Sequence, residues 1–154
     1  MLHSNAITIH SYTNDQKIVD SYRGRAAAQS IIPNKTGSDK TIKKIFPDIN
    51  MFCSAYRVPT NNVSIVDLYS QLDTNTDANT INQLLVEYSN KSTVATYNDE
   101  KLVSSDFNHN PSSCVFDINS TKVDGANVRI AGWYDNEWGF ANRMIDMATH
   151  DMHL

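Results

Sequence analysis

The chain has 154 residues, 40% of them apolar and 19% charged, with a formal net charge of −4. That length allows one domain with a proper core, and the acidic balance gives no electrostatic case for nucleic acid or an anionic membrane. No run approaches the roughly 18 apolar residues of a membrane span, and Cys53 and Cys114 form no CxxC pair, so a disulfide framework is not expected and a reducing, cytoplasmic setting is.

The opening "MLHSNAITIH" has neither a basic n-region nor a long apolar h-region, so no signal peptide is read there. Residues 1–6, with "SNA" at 4–6, read as a tag remnant or an irregular N-terminus, and residues 7–154 as one domain. "ITIHSY" (7–12) alternates apolar and polar residues and predicts a short strand. "TNDQKIVDSYRGR" (13–25) is polar and irregular and predicts a loop. "RAAAQSIIP" ends on Pro33, which disfavours helix in the residue before it. A helix is predicted from about Ser38 to Phe46, with Ser38 as its cap, Ile42, Ile45 and Phe46 on one face, and Pro47 as its stop.

"SAYRVPTNNVSIVDLYSQL" (54–72) is β-rich and broken at "VPTNN". "TNTDANTINQLLVEYSNK" (74–91) predicts a second helix, because Ile81, Leu84, Leu85 and Tyr88 recur at helical spacing. "KLVSSDFNHNP" and "SSCVFDI" read as short strands around a turn at Asn110–Pro111, and "NVRIAGWYD" as another strand. Residues 138 to about 150 predict a closing helix, with Phe140, Met144, Ile145 and Met147 on or near one face. The element order predicts an α+β fold: a mixed, mostly antiparallel sheet covered by helices. No GxGxxG occurs, so the sequence shows no Rossmann unit of its own.

His10, on the first strand, has the ring chemistry of a general base or thiol activator, although a lone strand histidine is ordinarily a packing or surface residue. His3, His109, His150 and His153 show no metal-type pairing, and no metal site is expected. Arg23, Arg25 and Arg57 lie in or beside loops. A guanidinium fork matches phosphate oxygens, though each arginine alone is more simply a solvated charge. Thr36-Gly37 stands just before a predicted helix start, where backbone amides favour anions. Cys53 and Cys114 have no adjacent base and read as small buried apolar residues. "GWYDNEWGFANRM" (132–144) packs aromatics around Asp135, Asn136 and Glu137 just before the closing helix.

"ITIHSYTNDQKIVD", "RAAAQSIIPNKTG", "YRVPTNNVSIVDL", "LVSSDFNHNPSS" and "WYDNEWGFANRM" follow one another in this order. Together they resemble the C-terminal half of glyceraldehyde-3-phosphate dehydrogenases, over nearly the whole chain from Ile7 to Met147. "DFNH" and "NEWGFANRM" are shared with the related erythrose-4-phosphate dehydrogenases, while "SYTNDQ" and "TG" lean toward the glyceraldehyde-3-phosphate enzymes. The resemblance implies an NAD-dependent oxidoreductase of glycolysis and gluconeogenesis, tetrameric when complete. In it a thiolate attacks the aldehyde, hydride passes to NAD, and inorganic phosphate releases the acyl group. His10 would be the catalytic histidine, and Thr13 and Arg57 would hold the C3 phosphate of glyceraldehyde 3-phosphate. Thr36 and Gly37, with Arg23 nearby, would hold inorganic phosphate. Asn136 would hold the nicotinamide carboxamide, with Phe140 packed beside it.

The sequence departs from the family in two ways. It has no S-C-T-T-N, the family's nucleophile motif, and residues 13–25, which include Arg23, are shorter than the family's loop there. The chain is therefore expected to be inactive alone, to bind NAD weakly, and to self-associate through surface a partner domain would cover. The alternatives are a domain of an erythrose-4-phosphate dehydrogenase, or a free-standing, non-catalytic binding or interaction module derived from the same family.

Overall fold

The computed structural model describes residues 3–13, 25–26 and 29–151. The first strand, β1 (His3–Ser11), runs through the middle of an eight-stranded sheet. β2 (Ile32–Asn34) and α1 (Ser38–Ile45) lead to β3 (Met51–Val58) and β4 (Ser64–Gln71). After α2 (Ala78–Lys91) come β5 (Ala95–Asn98), β6 (Cys114–Asp117), β7 (Lys122–Asp124), β8 (Asn127–Tyr134) and α3 (Asn136–Asp151). The order across the sheet is β2-β3-β1-β4-β8-β6-β5, with β7 also paired to β8. Only β1–β3 and β5–β6 are parallel pairs; β1–β4, β2–β3, β4–β8, β6–β8 and β7–β8 are antiparallel. The expected mixed, mostly antiparallel α+β architecture is what the chain forms.

Side chains alternate across the sheet with the strand period of two. On one face Ile42 of α1 meets Ala6, Val66, Leu68, Phe116 and Ile130 around a cavity of about 220 Å³. Tyr88 of α2 packs its ring edge-on to Phe116 on that side, centroids 6.2 Å apart. The other face carries a core of Val63, Phe107 and Val115, with Leu102 and Trp133 against it. Phe107 stacks on Trp133 at 5.2 Å, inclined by only 12°. No helix among the described residues is long and apolar enough to cross a membrane.

Several boundaries differ from the sequence reading. Residues 3–6 are neither irregular nor outside the fold: they begin β1, and Ser4 is fully buried with its hydroxyl 2.9 Å from that of Ser70. The cap of α1 is not Ser38, which is its first residue. Thr36 Oγ1 instead accepts from the Ser38 N–H at 3.2 Å and bonds the Ser38 hydroxyl at 2.7 Å. "KLVSSDFNHNP" forms no strand. The Asp106 carboxylate takes the Val103 N–H at 2.8 Å and closes a 3-10 turn over Ser104–Phe107, because short polar side chains offer the backbone an alternative to a ladder. The sequence reading offers no strand at β2, β5 or β7, each only three or four residues long. α3 starts two residues early, at Asn136, because Asp135 caps it. Most of the 13–25 loop, including Arg23, lies outside the described residues.

Candidate active site

Register is what brings the candidate residues together. β1 and β3 run parallel with His10 directly paired to Arg57, and β2 sets Asn34 opposite Ala55 on the far side of β3. β8 enters through β4, with Tyr134 opposite Ser64, and turns at Asp135 into α3. The result is a cleft of about 230 Å³. Thr8 and His10 reach it from β1, and Asn34, Lys35, Thr36 and Ser38 from the passage between β2 and α1. Ala55 and Arg57 reach it from β3, Tyr134 from β8, and Asn136 from the first turn of α3.

His10 sits at the centre of this arrangement. Its Nδ1 lies 2.8 Å from the Ser11 carbonyl oxygen and 2.6 Å from Arg57 Nη1, which itself donates to the same carbonyl at 2.8 Å. The Tyr134 ring stands edge-on to the imidazole, centroids 6.0 Å apart. Burial pushes the His10 pKa down from its ordinary value. The Ser11 carbonyl opposes that shift, the Arg57 charge adds to it, and Glu137 pulls the other way. Tyr134 is pushed up, first by burial, against hydrogen bonds from Ser64 and Thr8 and the pull of Arg57. Arg57 Nε is buried and meets no acceptor among the described residues.

The chemistry of the walls is that of an anion site. Arg57 and Lys35 bring positive charge. Thr36, Ser38, Asn34 and Asn136 bring side-chain donors, and α1 begins beside Thr36 with Gly37 at its N-cap position. At the other end of the cleft, Asp135 holds Asn136 in place. Its carboxylate accepts from Asn62 Nδ2 at 2.8 Å, the His109 N–H at 2.9 Å and the Trp138 N–H at 3.0 Å, and the residue is 1% exposed. Asn62 and His109 belong to two loops that each carry a left-handed non-glycine residue, Val63 (φ 63°) and His109 (φ 60°). For a β-branched residue such as Val63 this conformation is a strained one. It is held by burial of Val63 in the Phe107 core.

Of the residues singled out in the sequence, His10, Thr36, Arg57 and Asn136 line one cleft. Gly37 flanks it without lining it. Thr13 lies just beyond the end of β1 and Phe140 is 66% exposed one helical turn after Asn136; neither lines the cleft. Arg23 is outside the described residues. Sequence reasoning missed Thr8, Asn34, Lys35, Ser38, Ala55 and Tyr134. Each had a signal in its position: Thr8, Asn34, Ser38, Ala55 and Tyr134 stand two residues from a singled-out residue, and Lys35 stands next to one. Neither cysteine lines the cleft. Burial lifts the Cys114 thiol to about 11, and burial with the nearby Asp39 charge lifts Cys53. Among the described residues no group of three His, Cys, Asp or Glu side chains is placed to hold a metal ion.

Residues 2–136 match the family described as "Glyceraldehyde 3-phosphate dehydrogenase, C-terminal domain". A glyceraldehyde-3-phosphate dehydrogenase of Pseudomonas aeruginosa is 48% identical over 153 residues, covering 95% of this chain and 46% of that protein. The chromosomal enzyme of that name from Cupriavidus necator is 43% identical over 155 residues, with 95% and 46% covered. The one from Xanthobacter flavus is 42% identical over 152 residues, with 92% and 45% covered. The chain thus spans just under half the length of the curated relatives it matches. With the family match running from β1 into the first turn of α3, the chain belongs to the glyceraldehyde-3-phosphate dehydrogenase family, as a form of its C-terminal domain.

Proposed function

We propose that this chain is the catalytic, phosphate-binding part of a cytoplasmic, phosphorylating, NAD-dependent glyceraldehyde-3-phosphate dehydrogenase. The observation that carries the reading is the convergence of His10, Arg57, Thr36 and Asn136 on one cleft. In this reading His10 takes the proton from a thiol supplied by the rest of the protein. A base of this kind must offer a nitrogen lone pair to the reacting group. Arg57, with Lys35 in the same cleft, holds the C3 phosphate of the aldehyde substrate, and Thr13, just past the end of β1, is its second ligand. Thr36, Gly37 and the start of α1 hold the attacking inorganic phosphate, with Arg23 beside them.

Asn136 fits the nicotinamide end of the cofactor, because a side-chain amide offers both a donor and an acceptor to a carboxamide. Phe140, exposed one turn further on, offers an apolar flank. A bound nicotinamide would accept the hydride; the residues here only orient it. The chain holds no glycine-rich turn for the pyrophosphate, so its NAD affinity alone is very weak. Neither of its two thiols lines the cleft that holds His10, so in this reading it is inactive alone.

The test is titration of the purified chain with glycerol 3-phosphate, followed by amide shifts of Thr36, Ser38 and Asn136. Saturable binding is expected, weakened roughly 10- to 100-fold in Arg57→Ala, as for loss of charge-assisted bonds to phosphate. No binding, or equal binding by the variant, refutes the site assignment. NADH production by the chain alone from glyceraldehyde 3-phosphate, NAD and phosphate refutes the inactivity. Self-association is proposed on the apolar surface of α3, where Phe140, Met144, Ile145 and Met147 are all exposed. Light scattering that gives a strict monomer at high concentration contradicts it.

A further inference from the structure

His10 Nδ1 has two partners that it cannot serve in one protonation state. The Ser11 carbonyl at 2.8 Å only accepts, so that bond needs a proton on Nδ1. The Arg57 guanidinium at 2.6 Å only donates, so that bond needs a lone pair on Nδ1. A neutral imidazole resolves the conflict in one of two ways. With Arg57 donating to Nδ1, the ring proton sits on Nε2, which then faces outward as a donor and cannot act as a base. With Nδ1–H donating to Ser11, Nε2 carries the lone pair that proton abstraction requires.

Which arrangement holds depends on Arg57, and Arg57 has a reason to move. Its Nη1 is already a donor to Ser11, but its buried Nε meets no acceptor, and it borders the anion-binding wall of Lys35, Thr36 and Ser38. A phosphate group in the cleft offers the bidentate acceptor that the guanidinium fork lacks. Resting on the reading of this cleft as a phosphate site, we propose that Arg57 is a positioning residue for His10. Without ligand it donates to Nδ1 and holds Nε2 protonated; phosphate draws it off, the ring exchanges its proton with water, losing one from Nε2 and gaining one at Nδ1 that is donated to the Ser11 carbonyl, and Nε2 becomes the free lone pair. The base is thereby armed only when a phosphorylated ligand is present. The other charged or titratable groups facing His10 are Glu137 on α3, Tyr134 on β8 and Lys35 after β2. None of them contacts Nδ1 in the structure, so the proton's position is left to Arg57 and Ser11.

Long-range proton–nitrogen NMR of the His10 ring, in the purified chain, reads the tautomer directly. The wild-type chain is expected to show Nε2–H without ligand and to pass to Nδ1–H, with an upward shift of the ring pKa, as glycerol 3-phosphate saturates the cleft. Inorganic phosphate in a parallel arm separates the ester from the free ion: a switch with glycerol 3-phosphate only places the trigger at the C3-phosphate position. Arg57→Ala is expected to be Nδ1–H from the start and insensitive to either ligand. Saturating phosphate shifts on Thr36 with an unchanged His10 tautomer would overturn the coupling while leaving the phosphate site standing. If no phosphate binds, the site reading fails, and an Arg57→Ala tautomer identical to wild type then overturns the Arg57–Nδ1 contact as well. Should that variant fail to fold, Arg57→Lys, which keeps the charge but loses the fork, is expected to weaken the Nε2–H preference; an unchanged tautomer there counts equally against the proposal.

Discussion

Removing the Asp135 carboxylate should cost more stability than removing any residue that lines the cleft, although Asp135 touches no ligand in the proposed reaction. Three donors converge on it: the backbone N–H groups of His109 and Trp138 and the side-chain amide of Asn62. Asp135→Ala strands two part-buried backbone donors at about 1–2 kcal/mol each and loses a charge-assisted side-chain bond of about 1.5 kcal/mol. Asn62 recovers part of its loss, because its amide also donates to Asn108 Oδ1 at 2.9 Å. The net expectation is a loss of about 3–5 kcal/mol, a large share of the roughly 5–15 kcal/mol typical of a domain. Asp135→Asn keeps one acceptor oxygen for the Trp138 N–H but turns an amide NH2 toward the other two donors, so it should cost about 2 kcal/mol. Urea unfolding followed by the fluorescence of Trp133 and Trp138 gives both numbers, with the m-value as a check that the transition stays two-state. A loss below about 1 kcal/mol for Asp135→Ala would refute the capping account. If that variant does not fold, a wild-type urea midpoint for Asp135→Asn would refute it instead.

Protonation of His10 should weaken the fold in acid. Its folded pKa lies below the ordinary 6.5, so above that value the ring is neutral in both states and contributes no pH dependence. As pH falls below 6.5 the unfolded chain takes up the proton first, and stability drops until the folded pKa is passed. His10→Asn should flatten that segment of the stability–pH curve, and an unchanged slope would contradict the assigned shift. Gly132→Ala should cost about 1–3 kcal/mol through overpacking. A Cβ there would lie 2.5 Å from Cys114 Sγ, so adding Cys114→Ala should recover much of the loss in a double-mutant cycle. Additive costs would contradict the steric account.

The α+β class was legible because Ile42 and Ile45, and Ile81 through Tyr88, carry a helical period that no strand uses, while "SIVDLYSQ" carries β-branched and aromatic content. The elements that escaped are short and locally stabilised. β5 and β7 owe their form to neighbours β6 and β8, and the 103–107 turn to one carboxylate. His10 was visible as a residue type, but local sequence made it an ordinary strand histidine. Only the parallel register that sets it against Arg57 builds a site, and register between residues so far apart in the chain leaves no local pattern. Asp135 illustrates the same limit: its importance lies in Asn62 and His109, which reach it from two separate loops.

The placement of β1 at the centre of the sheet has a consequence for how the molecule is made. β1 is made before both of its partners, β3 and β4, and β4 is closed on its far side only by β8. Pairings of such long range raise the loop-closure cost before any contact rewards it, and they slow folding. A growing chain that ends before Asn127 has already exposed β4 as an open edge, and it holds His10 and Arg57 without Tyr134 or Asn136. The cleft therefore cannot form until β8 and the first turn of α3 have been made. Until β8 docks, the growing chain carries an unpaired edge strand of the kind that invites pairing with other chains.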